Sequence, residues 1–307
     1  MSIKISVESW MPDYASAIGE VDFDPSEVKV NLEIERKATD WAPISPDGTT
    51  GREGTVYFVD GVRRIEAMVW LEKEGSPPTR GVCASIAAGV VKASDHAHVV
   101  DVQLRRGIYS SVNPPDLSTR AGVFKPIAVT SGDFKDLNVA IQESLGSLEI
   151  EVAAELNIEE DAIVIVDGPL SGHKNVPGGL GFIKTHRVAY LPEPQSKILA
   201  KLTEGQRTPI FLTSSTWTRF SWYLRLPGPV VHPYSGLVRL EATGELPSVQ
   251  QLANRSSKML PFYASLPHKD PRAPQNLFPI GGLERELRRR LGDREIVHRA
   301  LKVATMN

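Results

Sequence analysis

Short apolar runs, separated by polar segments rich in glycine and proline, recur along the chain and predict β-strands. These runs cover residues 55–60, 62–72, 82–92, 97–104, 162–167, 209–213, 217–226 and 236–243. The first four follow one another closely, which is typical of an antiparallel meander. The segment "WAPISPDGTTGREG" lies before them, and its many turn-forming residues predict a loop.

Apolar residues spaced three and four positions apart predict helices elsewhere in the chain. The longest such segment is 136–156, and its apolar stripe consists of Leu137, Ala140, Ile141, Leu145, Leu148, Val152 and Leu156. The segment "PQSKILAKLTEG" has a similar pattern, and the chain closes with further helices. Strands interleaved with helices in this way indicate a mixed α/β fold.

The chain shows no low-complexity linker that would divide it into separate domains. We therefore expect one elaborated α/β domain over residues 55–307, preceded by a polar N-terminal segment over residues 1–54. The apolar residues near the start of that segment are Ile3, Ile5, Val7 and Trp10. They look too apolar for a free tail, so two interpretations remain open: an added edge strand, or a surface that docks a partner.

The composition is that of an ordinary globular protein of 307 residues, with 41% hydrophobic and 23% charged residues. The single cysteine, Cys83, excludes an internal disulfide and a cysteine-rich zinc site, and it fits a reducing compartment. No apolar stretch is long enough to span a bilayer, and the first residues have no apolar core of a signal peptide. We expect a cytoplasmic protein with no membrane partner.

The charge is unevenly distributed, although the formal net charge is only −2. Residues 255–307 hold eleven lysines and arginines against five acidic residues. This basic end is typical of a surface that faces phosphate groups. It is equally typical of a solvated helix face, because Leu283, Leu287 and Leu291 recur every fourth residue and would anchor one side of a helix in the core.

Two of the predicted strands end in the same way, with Val-Asp-Gly. Asp60 follows the run 56–59, and Asp167 follows the run 162–166. Asp-Gly is a common turn dipeptide, and a hairpin turn is a serious alternative at Asp60 because a further strand follows at once. If both strands lie in one sheet, however, the two carboxylates can converge at its edge. Adjacent carboxylates repel each other unless a cation neutralises them.

A third carboxylate comes from the helix predicted between these two aspartates. Glu149 lies inside the apolar stripe, next to Leu145, Leu148 and Val152. A carboxylate on the buried face of a helix is costly unless it is paired or bound to a metal, although a glutamate at the edge of a core has the same pattern. Asp60, Glu149 and Asp167 together form a set of oxygen ligands that suits manganese or magnesium rather than zinc.

The segment "WTRFSWYLR" alternates in a way that could form a surface for nucleic acid. A strand here would place on one face the side chains of Trp217, Arg219, Tyr223 and Arg225. Aromatic rings and guanidinium groups stack well on single-stranded bases. The opposite interpretation is an amphipathic strand that packs Phe220, Trp222 and Leu224 into the core, and it predicts the same alternation.

The order of these motifs resembles the NurA nucleases, which are partners of the hexameric ATPase HerA. The resemblance covers residues 55–300 and depends on the Asp-Gly motif, the helical glutamate, "VDGPL", "GFIKTHR" and "QNLFPIGGLERELRRRLGD". The combination of "DGPL" with a downstream Gly-x-x-Lys is its most specific part. The resemblance implies an RNase H-like fold, a homodimer, and DNA cleavage that depends on a divalent metal, usually manganese.

Individual residues can be carried over from this resemblance. Asp60, Glu149 and Asp167 match the metal-binding acids of the family, and Lys184 matches its conserved lysine, which could neutralise charge on the scissile phosphate. Many family members also have a tyrosine and a histidine at the active site, near the C-terminus of the chain. The candidates for these roles here are Tyr263, His268 and Asp270, of which His268 is the predicted catalytic residue, but their spacing differs from the family pattern. Val62 also replaces the usual serine of the first motif.

The function implied is a metal-dependent DNA nuclease, a 5′–3′ exonuclease or a single-strand endonuclease or both. It would act with a HerA-type translocase in DNA end processing, repair or antiphage defence. The chain has no G-x-x-x-x-G-K-[ST] phosphate loop, so a motor would come from outside. Two other functions stay open: an RNase H-like DNA-binding or adaptor subunit that does not cleave, and a metal-dependent phosphoesterase that acts on small substrates.

Overall fold

The computed structural model describes residues 28–72, 75–170, 176–186, 188–215 and 217–306. The protein is a mixed α/β structure with a large mixed sheet flanked by helices, as the apolar pattern predicts. The strands are β1 (Lys29–Asn31), β2 (Val56–Leu71), β3 (Thr79–Ala93), β4 (Ala97–Ser110), β5 (Leu117–Thr119), β6 (Gly122–Ala128), β7 (Ile163–Asp167), β8 (Gly179–Ile183), β9 (Phe211–Ser214), β10 (Thr218–Arg225) and β11 (Leu237–Ala242). The helices are α1 (Phe134–Ala154), α2 (Leu246–Tyr263), α3 (Phe278–Leu291) and α4 (Arg294–Ala304).

The described residues divide into two compact units. Those of the first unit fall within Met1–Phe58, Lys92–Ala97 and Asn157–Gly281. Its strands follow the order β1-β9-β10-β11-β8-β7, in which β7 and β8 are parallel and the other neighbours are antiparallel. One of its apolar clusters consists of Trp41, Leu191, Ile198, Leu199, Leu202, Phe211, Tyr223 and Leu237.

The beginning of the described chain is bound firmly to this first unit. Strand β1 pairs with β9 in the antiparallel sense. Glu35 accepts two hydrogen bonds from the buried guanidinium of Arg207, both at 2.7 Å, which is a bidentate ion pair. An edge strand therefore exists at residues 29–31. The apolar residues Ile3, Ile5, Val7 and Trp10, for which docking or an edge strand was expected, lie outside the described residues.

The second unit comprises Val59–Val91, His98–Leu156 and Gly282–Asn307 in its described parts. Its strand order is β2-β3-β4-β6-β5, with β4 parallel to β6 and β5 antiparallel to it. Helix α4 packs Val297 and Leu301 on a cluster with Cys83, Ile108 and Phe124. The first helix, α1, buries most of the stripe that the sequence predicts, from Leu137 to Val152.

Strand β2 corrects one expectation, because Asp60 and Gly61 lie inside a single strand of 16 residues. They neither end a strand nor form a hairpin turn. The Asp-Gly dipeptide favours a turn only through local backbone preference, whereas Val56–Val59 before it and Val62 after it are buried here in one extended strand. Asp167, in contrast, is the last residue of β7, as predicted.

The remaining helical segments include one short helix, and the described residues hold no candidate for a membrane span. The segment "PQSKILAKLTEG" forms a short 3-10 helix over Gln195–Lys201 rather than an α-helix. Among the helices that the structure describes, none is both long enough and apolar enough to cross a bilayer.

Candidate metal centre

The turn after β7 holds Asp167 in place through two glycines. Gly168 has a φ of +117°, a backbone conformation that residues other than glycine rarely adopt. The chain can therefore bend away immediately after Asp167. A Cβ atom on Gly181 of β8 would lie 2.8 Å from the backbone nitrogen of Leu170. The turn therefore packs directly against the bare backbone of β8, which explains the glycines at positions 168 and 181.

Lys184 meets Asp167 because β7 and β8 are parallel neighbours. Their register pairs Asp167 with Phe182, so Lys184 follows the end of β8 at the same edge of the sheet. Its Nζ atom donates to Asp167 Oδ2 at 2.5 Å. The lysine side chain is only 3% exposed and the aspartate side chain 11%. Lys184 is thus a buried cation beside a predicted metal ligand, and not a surface lysine.

A chain of polar side chains continues from Lys184 away from Asp167. Lys184 Nζ donates to Asn276 Oδ1 at 2.8 Å, and Asn276 Nδ2 donates to Asp270 Oδ2 at 2.6 Å. Arg272 in turn donates to both carboxylate oxygens of Asp270 at 3.2 Å. Burial opposes the charged form of Asp270, but the hydrogen bonds from Arg272 and Asn276 outweigh it and lower the pKa of this carboxyl.

Asp60 lies inside β2 with its side chain turned into the protein, and the residue is 7% exposed. The backbone nitrogen of Gly61 donates to Asp60 Oδ1 at 2.8 Å. Helix α1 passes close to this point, because a Cβ atom on Gly61 would lie 2.5 Å from Glu149 Oε1 and 2.6 Å from Leu145 Cδ1. A glycine at position 61 therefore lets the carboxylate of Glu149 rest directly against the strand backbone beside Asp60.

Three carboxylates converge in one group: Asp60 of β2, Asp167 of β7 and Glu284 of α3. Each offers an oxygen atom, and these oxygens all lie within 4.8 Å of one another. Hard divalent cations bind oxygen at roughly 2.0–2.6 Å, so two ligands of one cation are at most about 5 Å apart. The spacing and the all-oxygen chemistry of the group therefore fit one such cation. Asp60 and Glu284 are buried, and burial adds to the cost of gathering negative charges, which a bound cation would offset.

Glu284 is the member of this group that the sequence analysis did not select. Helix α3 buries Ile280, Leu287 and Leu291, and Glu284 lies four residues after the first and three before the second. It therefore occupies the apolar stripe of its helix, as Glu149 does in α1. The same criterion that selected Glu149 could have found Glu284, but the run of arginines around it suggested a solvated face.

Arg288 lies one helical turn after Glu284 in α3. Its Nη2 atom lies 3.9 Å from Glu284 Oε2, and its side chain is 67% exposed. Arg288, Arg289 and Arg290 are exposed, and the last two form ion pairs with Glu286, as the solvated-face interpretation of this helix predicts.

The C-terminal candidates for catalysis are dispersed. His268 is exposed on the loop after α2 and does not belong to the carboxylate group. Tyr263 is 1% exposed and packs edge-on against Phe58, at a centroid distance of 5.0 Å, and burial raises the pKa of its phenol. Asp270 belongs to the polar chain that ends at Lys184.

The predicted nucleic-acid face of β10 is buried. Arg219, Tyr223 and Arg225 are 8%, 3% and 2% exposed, and Trp217 is half-buried. Arg225 donates to the backbone carbonyl oxygens of Leu199, Leu202, Pro233 and Ser235. The opposite face is covered as well, since Trp222 and Leu224 are fully buried. This correction has a simple cause: alternation marks two faces of a strand, but in the interior of a large sheet both faces can be covered.

No protein-family model matches the chain, and no curated protein sequence matches it significantly.

Proposed function

We propose that the protein is a divalent-metal-dependent DNA nuclease. The observation that carries the proposal is the group of Asp60, Asp167 and Glu284, whose oxygens lie within 4.8 Å of one another. Acidic groups of this kind hold manganese or magnesium in enzymes that hydrolyse phosphodiesters. The resemblance to NurA nucleases in the order of the motifs supports DNA as the substrate.

The side chains around the group suit the chemistry of phosphodiester hydrolysis. A bound cation of this type stabilises negative charge on the phosphate and activates water. Asp60, Asp167 and Glu284 would hold the cation, and Glu149 lies close enough to Gly61 to act as an outer contact. Lys184 would contribute a fixed positive charge on the side of Asp167, where charge develops in the transition state.

The wider biological role follows from the same proposal. By its resemblance to the NurA family, the protein would have an RNase H-like fold and act as a homodimer in the cytoplasm. It would work with a HerA-type hexameric ATPase in DNA end processing or defence, with manganese as the preferred metal. The near-neutral net charge of −2 supports a need for such a motor, because weak phosphate contacts give weak unaided capture of DNA.

The direct test is cleavage of end-labelled single-stranded and double-stranded DNA by the purified protein. Reactions with manganese, with magnesium and with EDTA are compared. We expect cleavage with manganese, weaker cleavage with magnesium, and none with EDTA. Cleavage that persists in EDTA, or no cleavage with either metal in the presence or absence of a HerA-type ATPase, would reject the proposal.

A set of glutamine variants identifies the glutamate that binds the metal. Glu284→Gln should lower cleavage by roughly a hundredfold or more, because a metal ligand loses its charge. Glu149→Gln should cost about tenfold, as expected for a contact outside the ligand shell. Glu286→Gln, two residues from Glu284 in an exposed ion pair, is the matched control and should cleave normally. A reversed order of Glu284 and Glu149 would assign the third ligand to α1 instead.

A further inference from the structure

We infer that Asn276 is a positioning residue for the proposed reaction, and that its side-chain amide holds the ammonium of Lys184 against Asp167. The inference rests on the proposed function and extends it to a residue outside the carboxylate group. It is carried by hydrogen bonds among buried residues near the end of β8.

The contacts of Asn276 determine which way its amide points. Oδ1 accepts from Lys184 Nζ at 2.8 Å, and Nδ2 donates to Asp270 Oδ2 at 2.6 Å. A reversed amide would place its NH₂ group against an ammonium and its oxygen against a carboxylate, and both contacts would be repulsive. A side-chain amide can offer an acceptor to a cation and a donor to an anion at the same time.

The backbone around Asn276 is fixed as well. Asn276 N donates to the carbonyl oxygen of Arg272 at 3.0 Å, and Ser265 N donates to the carbonyl oxygen of Asn276 at 2.9 Å. The neighbouring Gln275 donates from Nε2 to the backbone carbonyl oxygen of Lys184 at 3.1 Å. Asn276 is fully buried. The loop before α3 therefore holds Lys184 at two points, by its backbone and by its ammonium.

This arrangement fixes the position of a side chain that is otherwise flexible. Its ammonium is a point charge on a flexible four-carbon stem, so a lysine that must act at one place needs its ammonium to be fixed by neighbours. Arg272, Asp270 and Asn276 supply that fixation as a chain in which the charges alternate in sign around a neutral amide. Preorganised charge of this kind stabilises a transition state without reorganisation during the reaction.

A double-mutant cycle tests whether Asn276 acts through Lys184. The wild type, Asn276→Leu, Lys184→Met and the double variant are compared in manganese-dependent DNA cleavage. Asn276→Leu should lower kcat by roughly 10–100-fold and change KM by less than about threefold, as expected for a positioning contact. The double variant should be no slower than Lys184→Met alone. Losses that multiply in the double variant would show that Asn276 acts independently of Lys184 and would overturn the inference.

A charge swap keeps the test decisive if Asn276→Leu fails to fold. Asn276→Asp alone places a carboxylate against Asp270, so it should lose activity to a similar extent. Adding Asp270→Asn restores one amide and one carboxylate in reversed order, and Asp at position 276 can again accept from Lys184. We expect the pair to recover at least roughly tenfold of the lost activity. No recovery, with an unchanged thermal unfolding midpoint, would count against the inference.

The two proposals fail in different ways. A wild-type protein that shows no metal-dependent cleavage overturns both of them. A wild-type protein that cleaves with manganese, together with an Asn276→Leu variant of full activity, overturns only the role of Asn276.

Discussion

Two buried ionic clusters in this protein have opposite composition. The first gathers three carboxylates, those of Asp60, Asp167 and Glu284, within 4.8 Å of one another, and Lys184 pairs with Asp167. The second contains one carboxylate, Glu241, between two arginines. Arg219 Nε donates to Glu241 Oε1 at 2.6 Å, and Arg239 Nη1 donates to the same oxygen at 2.5 Å.

In the second cluster, groups of the protein donate hydrogen bonds to both oxygens of the carboxylate. The backbone nitrogen of Leu170 donates to Glu241 Oε2 at 3.2 Å, so both oxygens of this fully buried carboxylate have donors. Burial raises the pKa of Glu241, but Arg239 and Arg219 outweigh it and the net shift is downward. Glu66 has a similar environment, because Arg64 donates a hydrogen bond to each of its two carboxylate oxygens.

We interpret this difference as one between charge that stabilises the fold and charge that serves the proposed metal site. A carboxylate surrounded by fixed guanidinium donors needs nothing further and serves the fold. Several carboxylates gathered in a small volume repel each other, and a divalent cation is the partner that relieves this repulsion most directly. The following predictions test this distinction, in order of decreasing effect.

The largest effect is expected at Asp167. The substitution Asp167→Asn keeps the size of the side chain and removes one negative charge from the carboxylate group. We expect DNA cleavage to fall by roughly a thousandfold, about 4 kcal/mol of transition-state stabilisation. Folding should change little, because the amide oxygen can still accept from Lys184 Nζ and the repulsion among the carboxylates falls. The measurement is manganese-dependent cleavage alongside circular dichroism. Asp95→Asn, at an exposed aspartate, is the control and should cleave like the wild type.

Glu241 should show the reverse behaviour. Glu241→Gln leaves two buried guanidinium groups without their carboxylate, and this should lower the free energy of unfolding by about 3 kcal/mol. The affinity for manganese should stay within about threefold of the wild-type value, because this cluster holds no metal. Urea denaturation and calorimetric titration provide the two measurements. A large loss of manganese affinity with unchanged stability would contradict the distinction between the clusters.

A pH-dependent loss of stability is expected from His186. Burial lowers the pKa of this imidazole to about 4, and its Nε2 lies 2.8 Å from the carbonyl oxygen of Leu237. The unfolded chain has the ordinary histidine pKa of about 6.5 and takes up a proton first, so stability should be complete above pH 6.5 and fall between pH 6.5 and 4. The loss should reach roughly 2–3 kcal/mol.

The variant His186→Gln isolates this effect from that of the carboxylates. Its free energy of unfolding should depend less on pH than that of the wild type between pH 6.5 and 4. The control is His268→Gln, because His268 is exposed. Equal pH profiles for the wild type and His186→Gln would show that another group is responsible.

The smallest effect concerns His268 in cleavage. The residue is exposed and lies outside the carboxylate group, so His268→Gln should change the cleavage rate by no more than roughly twofold. The assay is the manganese-dependent reaction used for Asp167→Asn. A loss of a hundredfold would place His268 in the reaction and restore the role that the resemblance to NurA nucleases implies for it.

The apolar pattern predicted most elements because burial acts locally on the sequence. The strands β3, β4, β7, β10 and β11 and the long helix α1 lie where the alternation and the 3.6-residue period place them. Two predictions were wrong: that a strand ends at Asp60, and that one face of β10 is exposed to nucleic acid. The Asp-Gly dipeptide at residues 60–61 favours a turn locally, but it lies in the middle of a strand. Alternation in β10 could not reveal that both of its faces are covered.

The sequence pattern was also insufficient to predict which acids form the carboxylate group. The sequence pointed to Asp167 at the end of a buried run and to a glutamate within an apolar helical stripe. Two helices satisfy the second criterion, through Glu149 and Glu284, and periodicity treats them alike. The structure brings Glu284 into the group with Asp60 and Asp167, and it brings Glu149 against Gly61. No sequence pattern indicates a role for Asn276, because that role depends on its contacts with Lys184 and Asp270.

The sequence by itself determined the types of the elements, the end of β7 at Asp167, and the presence of acids at positions where burial makes them costly. These properties depend on residues a few positions apart, and the periods of strands and helices report them directly. The tertiary structure alone decided which acids meet, that Lys184 is held between Asp167 and Asn276, and that the arginines of β10 are buried. Those contacts join residues far apart in the chain, and they form only when the packing of the elements brings their side chains together.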